Sequence, residues 1–299
     1  MDINRGNLEA LFKTYSTAWQ DVAGTNPLAE LGFAMSEFPS SSASNFYAWL
    51  DQVPGFRKWV GDRVFNHLKS QRFEVVNEDY EDSVRLGAND LEDDQYGVYA
   101  PVVRMMAQSW LELKRELVIA VFTANRVTFT GQPLFSATHA YGAQTLSNTV
   151  TDALTAEHFE AAFQAAAGWR FSDGRLVKPR FTHLVVGEAL RATAWNIVKN
   201  NRLETGTVGA TVDNRNFNRC ELVIWPELSG DYANYWFLVD ATKPVKAVAL
   251  QVRKEAAPLM DTDPATVQRT GHVDVLASGR LAAAPTFPHL VYGGLVAAA

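Results

Sequence analysis

The stretch Tyr99-Ala-Pro-Val-Val-Arg-Met-Met-Ala-Gln-Ser-Trp-Leu-Glu-Leu-Lys-Arg-Glu-Leu-Val-Ile-Ala-Val-Phe-Thr-Ala-Asn125 carries the clearest periodicity in the chain. Tyr99, Val103, Met106, Trp110, Leu113, Leu117 and Val121 recur at three- and four-residue steps, while Arg104, Gln108, Glu112 and Arg115 fall off that stripe. The spacing predicts an amphipathic helix, because 3.6 residues per turn stack such positions on one face. Pro101 falls in the first turn, where its missing N–H is tolerated. At 1.5 Å per residue the helix is about 40 Å long, a spine rather than an ordinary three-turn element.

Upstream, Leu8, Leu11, Phe12, Tyr15, Trp19 and Val22 predict a short amphipathic helix. The stretch 24–45 follows, with two prolines and Ser40-Ser-Ser-Ala-Ser44, and has neither helical nor strand period, so it reads as an extended arm. A helix on such an arm is expected to dock on something distant, a neighbouring subunit for example, and not on the local core. Between arm and spine, Phe73-Glu-Val-Val76 and Tyr80-Glu-Asp-Ser-Val-Arg-Leu86 read as strands around a turn-like Asn77-Glu-Asp79. Their many charges suit a protruding ribbon more than a buried strand.

Downstream, a helix is predicted over 155–169, then a strand at 183–187 with its helix at 188–200. The Gly, Thr and Asn content of 205–218 reads as an exposed loop. Strands are expected at 221–225, 235–239, 245–252 and 271–275. No internal repeat is visible.

Composition bounds the function. With 299 residues, 47% hydrophobic and 20% charged, the chain can bury a core of about two domains without disulfide or metal staples. The single Cys220 reads as a small buried strand residue. No stretch reaches the roughly eighteen apolar residues of a membrane span, and the basic n-region of a signal peptide is missing, so a soluble protein is expected. A net charge of −6 with scattered Lys and Arg argues against tight direct binding of nucleic acid.

Motifs for catalysis are missing. There is no phosphate-cradling glycine loop, no nucleophile elbow and no His-Glu-x-x-His, so no catalytic, cofactor-binding or metal residue and no cofactor is assigned. His67, His139, His158, His183, His272 and His289 lack ligand spacing and are expected to be ordinary side chains. The cluster Asp90-Leu-Glu-Asp-Asp94 has the chemistry to hold a hard cation. Its place ahead of the long helix favours a plainer role, capping exposed N–H groups at the positive end of the dipole. Glu78, Asp79, Glu81 and Asp82 would solvate the ribbon. Trp19, Trp110, Trp225 and Trp236 lie on helix stripes or in strands and are expected to pack rather than bind a ligand.

Particular motifs say more. Phe46-Tyr-Ala-Trp-Leu-Asp-Gln-Val-Pro54, Arg57-Lys-Trp-Val-Gly-Asp-Arg63, Leu91-Glu-Asp-Asp-Gln-Tyr-Gly-Val-Tyr-Ala-Pro101 and Gly131-Gln-Pro-Leu-Phe-Ser-Ala-Thr-His139 resemble the Mu-like phage major head subunit family in order and spacing. Ala140 stands where a proline is commoner in the family. The resemblance implies an α+β Hong Kong 97 type capsid fold. Its divisions would be an N-terminal arm at 1–58, an extended loop at 59–90 and a peripheral domain with spine helix at 91–151. An axial domain at 152–243 and a return to the peripheral domain at 244–299 would complete it. Lys69 lies on that loop; a lysine so placed makes an isopeptide bond in a different capsid lineage, but here a plain surface lysine is expected.

The resemblance further implies a non-enzymatic major capsid protein that self-assembles into hexamers and pentamers around double-stranded DNA, without sequence-specific contact and without a membrane. Implied partners are a scaffolding protein, a prohead protease, a portal and a decoration protein, with assembly in the bacterial host cytoplasm and residence in the virion capsid. Two other readings compete: a metal-dependent enzyme using Asp90, Glu92, Asp93 and Asp94 with His139, and a non-viral nanocompartment shell of the same fold.

Overall fold

The computed structural model describes residues 3–25, 27–47, 73–93, 99–141, 144–171, 173–204 and 211–297. In chain order the first elements are α1 (Arg5–Ala23), β1 (Met35–Pro39), β2 (Ser44–Phe46), β3 (Glu74–Val76), β4 (Glu78–Gly87), α2 (Ala88–Asp93) and α3 (Ala100–Thr123). Next come β5 (His139–Tyr141), β6 (Gln144–Leu146), β7 (Thr149–Val150), α4 (Ala156–Ala167), β8 (His183–Val186) and α5 (Arg191–Val198). The remainder is β9 (Arg202–Glu204), β10 (Thr211–Asp213), β11 (Glu221–Ile224), β12 (Trp236–Val239), β13 (Val248–Met260), α6 (Pro264–Thr270), β14 (His272–Pro285) and β15 (Val291–Gly294).

Two sheets organise the chain. One has four strands in the order β1-β13-β14-β4, and the other has five in the order β11-β8-β12-β15-β7. In the first, β13 and β14 form a long antiparallel pair whose turn contains α6, closed by Gly271 at φ 73° after the Asp263 cap. That left-handed residue is where glycine costs least. Along β14, Val273, Val275, Ala277 and Leu281 are buried on one face, as a period of two requires. In the second sheet, His183–Val186 and Trp236–Val239 are almost continuously buried, the mark of strands covered on both faces.

The spine α3 ties the sheets together. Its N-terminal half lies on the four-stranded sheet, where Gly279 of β14 leaves room for the Trp110 indole: a Cβ there would stand 2.2 Å from Trp110 Cη2. Beside it, Lys114 is buried and its Nζ meets Glu255 Oε1 at 2.5 Å, while the Trp110 Nε1–H donates to Glu255 Oε2 at 2.9 Å. The C-terminal half enters the second sheet through Phe122, whose ring lies 5.2 Å from Trp225 and 5.3 Å from Phe237. A helix of 24 residues, about 36 Å at 1.5 Å each, thus shares one core with both layers.

Several sequence expectations change. The first helix forms as its stripe requires, but it packs on α3 of its own chain, with Leu8 and Tyr15 fully buried, instead of docking at a distance. The stretch 24–45 is not a free arm: β1 pairs in parallel with β13, and the Phe33 ring stacks on His183 at 4.3 Å. Asn77-Glu-Asp79 is not a turn either, since Asn77 is buried and Glu78 and Asp79 already belong to β4, and the strands on its two sides do not pair into one ribbon: β3 pairs with β2 and β4 with β14. β13 and β14 extend well beyond 245–252 and 271–275. After 244 the chain does not stay with one sheet, because β15 joins β12 and β7. The motifs at 48–63 and Lys69, His67, Asp94 and residues 205–210 lie outside the described residues.

Candidate assembly surfaces

β2 and β3 form a separate two-stranded ribbon. They pair antiparallel, and the Tyr47 N–H donates to Phe73 O at 3.0 Å where the two strands part. Beneath them lies a buried polar network. The Gln251 amide donates to Asn77 Oδ1 at 2.8 Å and to Val75 O at 3.2 Å, and the Tyr47 hydroxyl donates to Gln251 Oε1 at 2.8 Å. Asn77 in turn donates to Ser40 Oγ and Ser42 O, both at 3.0 Å. Buried amides must find partners, so this set fixes the ribbon's root to β13 and to the segment after β1. Burial also pushes the Tyr47 phenol above its ordinary pKa, so the hydroxyl keeps its donor proton.

β4 is an edge strand of ten residues whose ladder partner among the described residues is β14. Its face toward the spine carries Tyr80, Val84 and Leu86; most of the rest is exposed and charged. Asp79 meets Arg280 at 2.6 Å and Arg85 meets Asp274 at 2.8 Å across the β4–β14 ladder. The guanidinium of Arg85 holds the Asp274 carboxyl below the ordinary carboxylate range. Charges along an edge discourage indiscriminate pairing while leaving it open to a matched partner.

A second structural device joins layers. Arg115 of α3 donates to Glu30 in the 3-10 turn Pro27–Leu31 and, with both Nε and Nη2, to Glu227 after β11; the Nη2–Oε2 distance is 3.3 Å. The fork geometry of Arg makes it suited to gripping two carboxylates at once.

The residues singled out for metal or catalytic chemistry are dispersed. Asp90, Glu92 and Asp93 sit on α2, a separate six-residue helix, so they do not cap the spine; α3 opens at Tyr99 with no side-chain cap and no acid in its first turn. Among the described residues no group of three His, Cys, Asp or Glu side chains could hold a metal ion. His139 instead serves the core. Its Nε2 lies 3.1 Å from Leu134 O, a pure acceptor, so that nitrogen bears the proton and Nδ1 accepts from the Thr130 hydroxyl at 2.9 Å. His289 is fully enclosed, with Phe171 at 5.2 Å and Phe287 at 5.0 Å, and burial pushes its pKa down to about 3. The Cys220 thiol is buried and pushed up to about 12, which leaves it protonated and inert. Trp19, Trp110, Trp225 and Trp236 are all buried packing residues.

Sequence reasoning missed Asn148, which is fully buried and staples three segments: it donates to Leu134 O at 2.8 Å and Pro288 O at 2.9 Å and accepts from the Ser136 N–H at 2.9 Å. It also missed Asn214, which caps the end of α5 by donating to Ile197 O at 2.9 Å and Asn200 O at 2.7 Å. Neither asparagine stands in a spacing that signals its role.

The model of the family described as Mu-like prophage major head subunit gpT matches residues 8–153 and 139–228. The chain belongs to that family. A relative from Haemophilus influenzae, the Mu-like prophage FluMu major head subunit, is 33% identical over 138 residues, which are 46% of this chain and 44% of that one. The major capsid protein of Escherichia phage Mu is 30% identical over 102 residues, 33% of each chain. The match therefore spans less than half the length of either curated relative. Among solved structures, a chain of the bacteriophage JBD30 procapsid superposes with a TM-score of 0.61 at 21% identity, covering 97% of this chain and 75% of that one. A capsid chain of the native GTA particle gives 0.56 at 14% identity, covering 91% and 89%. The fold of this head-subunit family member is thus the Hong Kong 97 type of phage capsid chains, with α3 as its spine.

Proposed function

We propose that the chain is a major capsid subunit of a Mu-like tailed phage or prophage, assembling with copies of itself into the hexamers and pentamers of an icosahedral shell around double-stranded DNA. The observation that carries this reading is the family match over 8–228, which includes the ribbon strands, the spine and most of the second sheet. The geometry adds physical support. A long exposed edge strand and a ribbon root locked to the frame present surface to neighbours, while a spine shared by two sheets keeps each subunit rigid. The net charge of −6 suits a wall that encloses a polyanion without gripping it.

The remaining expectations belong to the same proposal: no enzymatic role, a separate scaffolding protein and a prohead protease, a portal and a decoration protein as partners, and assembly in the host cytoplasm. Size-exclusion chromatography of the chain, expressed alone and with its neighbouring genes, tests it. Elution as capsomers or shells in at least one condition is expected; compact monomers in both contradict it.

A further inference from the structure

Between the spine and β4 lies a groove of about 280 Å³ with an apolar floor that includes Trp110 and Leu113. Its rim carries Glu81, Asp82, Glu112 and Glu116, and among the described residues no lysine or arginine lines it. All four acids are exposed, and none forms an ion pair among the described residues; Glu112 accepts only from Gln108. Four uncompensated carboxylates around an apolar floor repel a nucleic acid and favour a segment that is both basic and apolar at its tip.

The same chain displays such a segment elsewhere. Residues 170–180 hold Arg170, Arg175, Lys178 and Arg180 against the single acid Asp173. Leu176 is 39% exposed at its centre. Arg175 is paired with Asp173, but Lys178 and Arg180 form no ion pair among the described residues. The segment is anchored by Val177 N–H donating to Trp169 O at 2.9 Å and by Phe171 against His289, and none of its described residues lines the groove.

Resting on the shell-subunit reading, we infer that the groove between α3 and β4 receives the basic 170–180 segment of a second copy of this chain. Leu176 seats on the Trp110–Leu113 floor, and Lys178 and Arg180 face the four carboxylates. The contact is heterologous, one surface meeting a different surface, which is the kind that closes rings of five or six.

Charge exchange tests it in the full-length chain, with thermal melting of each variant as the folding control. Glu112→Lys with Glu116→Lys should cut particle yield at least tenfold, as should Lys178→Glu with Arg180→Glu, and combining all four should restore it. Single-surface variants that fold and assemble like the parent, or a combination no better than either alone, would overturn the inference. So would intact assembly accompanied by loss of co-purifying nucleic acid from the Lys178/Arg180 variant, which would assign the basic segment to DNA. A second readout does not depend on yield: under mild oxidation, mixed particles of Glu112→Cys and Leu176→Cys chains should give disulfide-linked dimers, and their absence overturns the inference. If the parent itself never assembles, the shell-subunit reading fails instead.

Discussion

Gly279 illustrates how one missing methyl group sets the spine in place. Gly279→Ala would put a Cβ 2.2 Å from the Trp110 ring, and overpacking of this kind costs about 1–3 kcal/mol. A denaturant titration should show that loss in the midpoint. His289 makes a different prediction. Its pKa is about 3 in the folded chain against an ordinary 6.5, so the unfolded state binds more protons between those values and stability falls as pH drops through that window. His139 and His183, also lowered by burial, add to the same slope, whereas the depressed Asp173 and Asp274 carboxyls act only at lower pH, below the ordinary carboxylate range. His289→Gln should therefore flatten the slope of unfolding free energy between pH 6.5 and 4 without abolishing it; an unchanged slope would contradict the assignment. None of this was legible in the sequence, because a buried histidine and an exposed one look alike until chain segments far apart close around them.

At the scale of elements, legibility followed local period. α1, α3 and α4 were predictable because their buried stripes repeat at helical steps within one segment. β1 was not, since five residues with no clean alternation take their partner from 213 positions later, Met35 against Val248. The true length of β13 was hidden by Arg253-Lys-Glu255, where the register shifts between Val252 and Lys254 and again before Ala257. α6 is signalled by Asp263-Pro264 and the closing Gly271, a start and stop pair easily overlooked because its seven residues leave little room for a buried stripe to repeat. The acids at 90–93 misled because adjacency to a helix in sequence was taken for position at its first turn. Arg115, a polar residue off the stripe by its spacing, proves to join α3 to both Glu30 and Glu227. Arg115→Met should cost roughly 1–3 kcal/mol, the scale of charge-assisted bonds, and speed amide exchange in 28–31. Exchange there at the parental rate would show that no such clamp operates.

For the whole molecule, the motifs at 46–139 alone pointed to the family, and the fold superposes on a chain of the JBD30 procapsid over 97% of the length. Less legible was how much of the first forty-seven residues belongs to the chain's own core: Leu8, Tyr15, Leu31 and Ala34 are fully buried within it. Their partners lie on elements far along the chain, which no local pattern announces. On the proposed shell-subunit reading, an N-terminal helix already seated on its own spine gives assembly a prebuilt frame and leaves association to exposed edges. As proposed, this frame builds a closed shell from one chain in two symmetries. Cryo-electron microscopy of particles from co-expression with the neighbouring genes tests it most directly. Icosahedral shells in which α3 superposes between hexamer and pentamer copies are expected; well-folded chains that remain monomeric, or that form only open aggregates, would contradict the claim.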